Sequence, residues 1–189
     1  MSGTPTRYWD AATFLAWLKP EPARKPACEG WLDLARHGKL VIVTSTLTLV
    51  EVVKFDKSDI LNLAPEAAAT IEGFFRNSWI SLRNVDPEIG EKARGLMWDH
   101  ALRVRDAVHL ATALRYRVPF LDTYDDDLVG LNDLFPEITI GYPPQVPQQL
   151  SAEALMAAAA TEEQEVATAA VEAEFATLGA NPLPGVVSD

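Results

Sequence analysis

Leu40-Val-Ile-Val-Thr44 is a continuous apolar run whose last four members are all β-branched. A strand with one wet face alternates apolar and polar residues. This run does not, which predicts a strand covered on both faces, as in parallel sheets flanked by crossover helices. Upstream, Arg7-Tyr8-Trp9 reads as a short strand and Ala11–Leu18 as a short helix stopped at Lys19-Pro20. Pro26–His37 places Ala27, Cys28, Trp31, Leu34 and Ala35 near helical period, and Gly38 suits the left-handed residue after a helix. Downstream, Ser45 or Thr46 can cap a helix running to about Phe55. Pro65–Arg76, Pro87–His100, Arg105–Tyr116 and Asp126–Leu134 read as further helices, and Trp79–Val85, Pro119–Asp122 and Glu137–Ile140 as strands. Strands alternating with helices predict the α/β class with a mostly parallel sheet.

Composition agrees with one packed core. The chain has 189 residues, 48% hydrophobic and 23% charged, which excludes wholesale disorder. No apolar run approaches the length of about 18 residues that suggests a membrane span. Cys28 is the single cysteine, so no internal disulfide forms, and a reducing, cytoplasmic setting is expected. Arg7 is the only basic residue before the apolar stretch Ala11–Leu18, and Asp10 directly precedes it, so no signal peptide is read there.

Charge is unevenly placed. The net charge is -11, from 16 basic and 27 acidic residues. Beyond Leu150 there is no Lys or Arg, while Glu153, Glu162, Glu163, Glu165, Glu172, Glu174 and Asp189 are acidic. The first 149 residues hold 16 basic and 20 acidic groups, net -4, so the body is not basic and contact with nucleic acid has to rest on a local basic patch. Pro143, Pro144 and Pro147 mark a linker at 143–150 between a domain at 1–142 and an acidic, Ala-rich tail at 151–189. Ser151 is a suitable cap and Ala and Glu favour helix, so the tail reads as a solvated helical or disordered appendage, or as a helix for a partner.

In parallel α/β sheets, ligands gather at the carboxyl ends of the strands. Asp10 directly follows the first strand. Glu51 lies in the helix after the second, Asp106 opens a later helix, and Asp125 follows the strand ending at Asp122. Each acid alone reads as a helix cap; four from separate segments at one sheet edge ask for another explanation. Clustered carboxylates repel, and a hard divalent cation with oxygen ligands keeps them ionised. Mg²⁺ or Mn²⁺ fits. Zinc does not, because His37, His100, His109 and Cys28 make no ligand spacing. Such a carboxylate-held ion suits hydrolysis of phosphodiesters.

Four segments carry a family resemblance: Tyr8-Trp9-Asp10-Ala11, Thr44 to Val52, Arg105 to Ala113, and Leu121-Asp-Thr-Tyr-Asp125. In order and spacing they resemble the PIN-domain family, and in flavour the VapC-type toxins of bacterial toxin–antitoxin pairs, over about Arg7 to Ile140. The resemblance implies a three-layer α/β/α fold and a Mg²⁺- or Mn²⁺-dependent endoribonuclease. It implies metal-ligand and catalytic roles for Asp10, Glu51, Asp106 and Asp125, with Thr123 and Thr46 as supporting hydroxyls. It also implies an RNA substrate, a cognate antitoxin that covers the site, and a homodimer. The tail after about Leu150 inherits no role from it.

Competing readings remain open. Arg103 and Arg105 flank Asp106 and read either as surface charge or as contacts to RNA backbone, with Arg76 and Arg83 as further rim candidates. His109, one turn after Asp106, reads as a packed core residue with one hydrogen bond in preference to a general base. Asp126 and Asp127 read as a helix N-terminal charge cluster. Trp9, Trp17, Trp31, Trp79 and Trp98 read mostly as core, and Cys28 as a buried, inert thiol. As a whole, the alternative to a nuclease is a catalytically weak binding or scaffold module acting through a protein partner. A receiver-like module ranks lower, because Lys is absent beyond Lys92.

Overall fold

The computed structural model describes residues 4–18, 22–52, 71, 73–147 and 150. The elements run β1 (Thr6–Trp9), α1 (Ala11–Leu18), α2 (Lys25–Arg36), β2 (Val41–Ser45), α3 (Thr48–Glu51), β3 (Ile80–Arg83), α4 (Pro87–His100), α5 (Val104–Arg115), β4 (Phe120–Asp122), α6 (Asp126–Val129), a 3-10 turn (Asn132–Leu134) and β5 (Thr139–Gly141). The five strands lie in the order β3-β2-β1-β4-β5, and every pairing among them is parallel.

Strand alternation sorts the core into two layers. Tyr8 and Val43 point to one face, where they pack with Ile89 and Ala93 of α4 and Ala107, Leu110 and Ala111 of α5. Their neighbours Trp9 and Ile42 point to the other face, against Phe14 of α1, Leu32 of α2, and Phe74 and Phe75. Period-2 geometry thus gives each central strand two apolar faces. The result is a three-layer α/β/α domain, as the unbroken run at 40–44 predicts.

Local chemistry sets the element ends. Asp86 caps α4 by accepting from the Ile89 amide at 2.9 Å, and Pro87 occupies the first turn. Gly38, at φ 68°, turns the chain from α2 toward β2. The expected cap of α3 differs in detail: Ser45 Oγ accepts from the Leu47 amide at 3.1 Å, and the helix starts at Thr48. The expected helix Asp126–Leu134 is divided. Gly130 ends α6, and the Asn132 side chain accepts from the Ile140 amide at 2.8 Å, which fixes the following turn to β5. The expected extension of α3 to Phe55, most of the expected helix Pro65–Arg76 and the tail at 151–189 lie outside the described residues; of that helix, Ile71, Gly73 and Phe74 are helical and Phe75 and Arg76 lie in a turn. The Pro-rich segment lies against α2: Trp31 Nε1 donates to the Pro144 carbonyl at 2.7 Å. Val146 approaches so closely that a Cβ on Gly30 would stand 2.9 Å from its methyl carbon.

Candidate active site

The strand order reverses direction between β1 and β4, and this is where open parallel sheets leave a crevice at their carboxyl edge. Asp10 follows β1 at that point and is almost fully buried. Its Oδ1 accepts from the Thr13 amide at 2.9 Å, which caps α1, and its Oδ2 accepts from the Thr123 hydroxyl at 2.5 Å. Burial pushes the Asp10 carboxyl above its ordinary range, against the opposing influence of His109 and these hydrogen bonds. Asp125 caps α6 by accepting from the Asp127 amide at 2.9 Å, while its own amide donates to Thr123 Oγ1 at 2.9 Å.

Asp106 sits in the first turn of α5, where the helix dipole favours a carboxylate. It is buried; Oδ1 accepts from Arg105 Nε at 3.3 Å, while Oδ2 is buried with no hydrogen-bond partner among the described residues. Burial raises its pKa first, and the charge of Asp125 raises it further. Glu51, at the end of α3, is drawn to His109: Oε2 lies 2.7 Å from His109 Nε2. His109 Nδ1 in turn lies 2.8 Å from the Tyr8 hydroxyl.

The four acids therefore share neighbours. Asp106 feels the charge of Asp125, and both Asp10 and Asp106 feel His109, which touches Glu51. Asp10 and Asp125 act as caps through one oxygen each, and Glu51 and Asp106 cap nothing. Of the two expected hydroxyls, Thr123 bridges Asp10 and the Asp125 amide. Thr46 stands half-buried in the turn after β2, where its amide donates to the Arg83 carbonyl at 2.9 Å. Arg103 is exposed with a 3.5 Å contact to Asp127, and the Arg83 guanidinium lies 4.5 Å from the Tyr116 ring centroid.

A family model described as PIN domain matches residues 7–133. The chain belongs to the PIN domain family. Among solved structures, this PIN domain resembles a toxin–antitoxin complex from Klebsiella pneumoniae, with TM-score 0.51 and 18% identity over 74% of this chain and 99% of that one. It also resembles VapC20 of Mycobacterium tuberculosis, a sarcin–ricin loop cleaving toxin, with TM-score 0.49 and 18% identity over 64% of this chain and 90% of that one. At such identity the likeness to the Klebsiella structure bears on the fold. Comparison with curated proteins found no match. No helix among the described residues is long and apolar enough to cross a membrane.

The PIN fold raises the question of a divalent cation. The donors at the sheet edge are all carboxylate or hydroxyl oxygens, which suit Mg²⁺ or Mn²⁺. The unpartnered, buried Asp106 Oδ2 beside Asp125 is an acceptor with nothing to accept from, and a cation satisfies it. Against this, among the described residues no three His, Cys, Asp or Glu side chains stand together as a finished cation cage. Glu51 is engaged by His109, and the caps hold Asp10 and Asp125. The residues fit the ion in donor type, with closure around it still to be made.

Sequence reasoning gives His109 one hydrogen bond, and the PIN domain gives it two polar partners. No local signal names either partner, because Glu51 and Tyr8 lie 58 and 101 residues away along the chain; spacing three shows only that Asp106 and His109 share a helix face. The reading of tryptophans as mostly core holds for Trp9 and Trp31, while Trp98 is 77% exposed with Arg94 near its ring. Cys28 is fully buried, and burial pushes its thiol up to about 11.

Proposed function

We propose that this PIN domain is a Mg²⁺- or Mn²⁺-dependent endoribonuclease, the toxin of a toxin–antitoxin pair. The single observation that carries the reading is the buried Asp106 oxygen without a partner, beside Asp125 at the carboxyl edge of the sheet. Asp10, Glu51, Asp106 and Asp125 hold the ion in this reading. When bound, Mg²⁺ or Mn²⁺ supplies Lewis acidity toward a phosphodiester and its attacking water. The chain's own groups do the rest. Thr123 keeps one Asp10 oxygen in place. Arg103 and Arg105, exposed beside Asp106, contact RNA phosphates in this reading.

The reading extends to a cytoplasmic protein, a cognate antitoxin, a homodimer, and a nuclease unit at 1–142 followed by a linker at 143–150 and an acidic tail at 151–189. Its test is cleavage of an RNA panel with Mg²⁺, with EDTA, and with D10N and D106N variants. Cleavage is expected to follow the metal and to vanish in both variants. Cutting that persists in EDTA, or in both variants, sinks it.

One observation favours a second reading, a binding module that acts through a protein partner: the described acids do not form a finished cage. Metal-independent, RNA-inert protein that captures a small partner with D10N as well as with wild type is its expected signature.

A further inference from the structure

Glu51 ends a helix of only four residues, so its backbone is weakly fixed by helix geometry alone. Its carboxylate is nonetheless pinned from across the core, by His109 on α5. His109 is 2% exposed and Tyr8 is wholly buried, so the contacts form a dry chain from strand β1 through helix α5 to α3. A carboxylate only accepts hydrogen bonds. His109 Nε2 then carries the proton that bonds Glu51 Oε2, and the other ring nitrogen, Nδ1, is held 2.8 Å from the Tyr8 hydroxyl. The chain of contacts runs from the Tyr8 hydroxyl through both nitrogens of the ring to Glu51, so the ring is fixed at both ends.

We propose that Tyr8 and His109 form a positioning relay that fixes the Glu51 carboxylate and thereby sets the affinity of the acidic site for a divalent cation. The proposal rests on the metal-dependent reading above. Tyr8 and His109 touch no ion in it; they act through Glu51. A histidine ring held at both nitrogens presents its Nε2–H along a single line, which fixes a carboxylate more tightly than a freely rotating donor does. In this reading the second Glu51 oxygen takes the ligand role.

Two measurements on the full chain test it. In ¹⁵N-labelled protein without metal, long-range imidazole correlations are expected to show a proton on His109 Nε2, whether or not Nδ1 also carries one; an unprotonated Nε2 overturns the relay. Calorimetric titration with Mn²⁺ then compares wild type, H109Q, H109N, Y8F and D106N, each checked for a cooperative melt. The amide nitrogen of Gln reaches the place of Nε2, whereas that of Asn reaches the place of Nδ1. H109Q is therefore expected to bind Mn²⁺ within a few-fold of wild type, and H109N about 10–100-fold more weakly. Y8F falls between them. If H109Q and H109N bind alike, or H109N matches wild type, the relay is wrong while the metal site stands. If wild type binds no better than D106N, the metal-dependent reading fails and takes the relay with it.

Discussion

The Thr123 hydroxyl donates to Asp10 Oδ2 at 2.5 Å and accepts from the Asp125 amide at 2.9 Å, so one side chain ties the end of β1 to the start of α6. Both bonds are buried or half-buried, and one ends on a carboxylate. Losing a donor to a buried acceptor costs about 1–3 kcal/mol. T123V is expected to lower unfolding free energy in urea by that amount, and T123S to recover most of it. Equal stability of T123V and wild type would show that Asp10 finds its partner elsewhere.

How far the sequence reaches can be judged from particular segments. The run at 40–44 specifies the sheet because a doubly covered strand has no polar face, and that signal is local. The positions of Asp10 and Asp106 are local for the same reason: each falls beside a strand end or in a helix first turn. What stays hidden depends on side chains meeting across 58 or 101 residues of chain, as His109 does with Glu51 and Tyr8. The division of Asp126–Leu134 is hidden likewise, because the Asn132 bond to the Ile140 amide comes from β5. Periodicity names the face a residue occupies, and only the packed fold names its partner.

Asp106 makes a prediction about pH. Its folded pKa lies above the ordinary carboxylate value, first from burial and then from Asp125. The folded protein thus holds this proton more tightly than the unfolded chain does. That contribution is greatest in acid and is lost as pH rises from about 3.9, the unfolded value, through the raised folded one. At neutral pH without metal the ionised carboxylate opposes folding. D106N is expected to stabilise the metal-free protein at pH 7.5 by about 1 kcal/mol while abolishing RNA cleavage, a usual exchange between stability and function. The difference between D106N and wild type in thermal melts should shrink toward pH 4. Saturating Mn²⁺ should reverse the order, adding about 2.7 kcal/mol to wild type at a hundred times Kd. A D106N protein less stable than wild type at both pH values without metal would contradict this account.

Arg7 and Asp122 form a second buried charge system with a different purpose. Arg7 Nη2 and Nε donate to the two Asp122 oxygens at 2.5 and 2.6 Å, and Trp9 Nε1 donates to Oδ2 at 3.0 Å. The guanidinium is held between Trp31 and Phe120, at 4.2 and 4.5 Å from the ring centroids. These bonds join β1 to β4 through side chains as well as backbone. Removing one charge strands the other, at about 3–5 kcal/mol. R7M is therefore expected to be severely destabilised in guanidinium unfolding. R7M/D122L should recover a large part of that loss, since the apolar walls remain. A double variant as unstable as R7M would place the effect on packing of the arginine stem and not on the abandoned carboxylate.

Arg103 separates electrostatic attraction to RNA from the chemistry at the acids. Its contact with Asp127 is 3.5 Å with both side chains over 60% exposed, a pair worth little to the fold. Arg105 is a poorer probe, because its Nε lies against Asp106 and its removal disturbs the site itself. R103A should keep wild-type stability within about 0.5 kcal/mol. Binding of a catalytically dead D10N protein to single-stranded RNA should weaken at low salt when R103A is added. If Arg103 meets one phosphate, the slope of log K against log salt should fall by about 0.7. Affinity lost equally at every salt concentration would point to a distorted site, and an unchanged slope would return Arg103 to ordinary surface charge. Because the first 149 residues carry 20 acidic against 16 basic groups, only a local cluster of arginines can draw the phosphate backbone in, and the loss of one of them should be measurable.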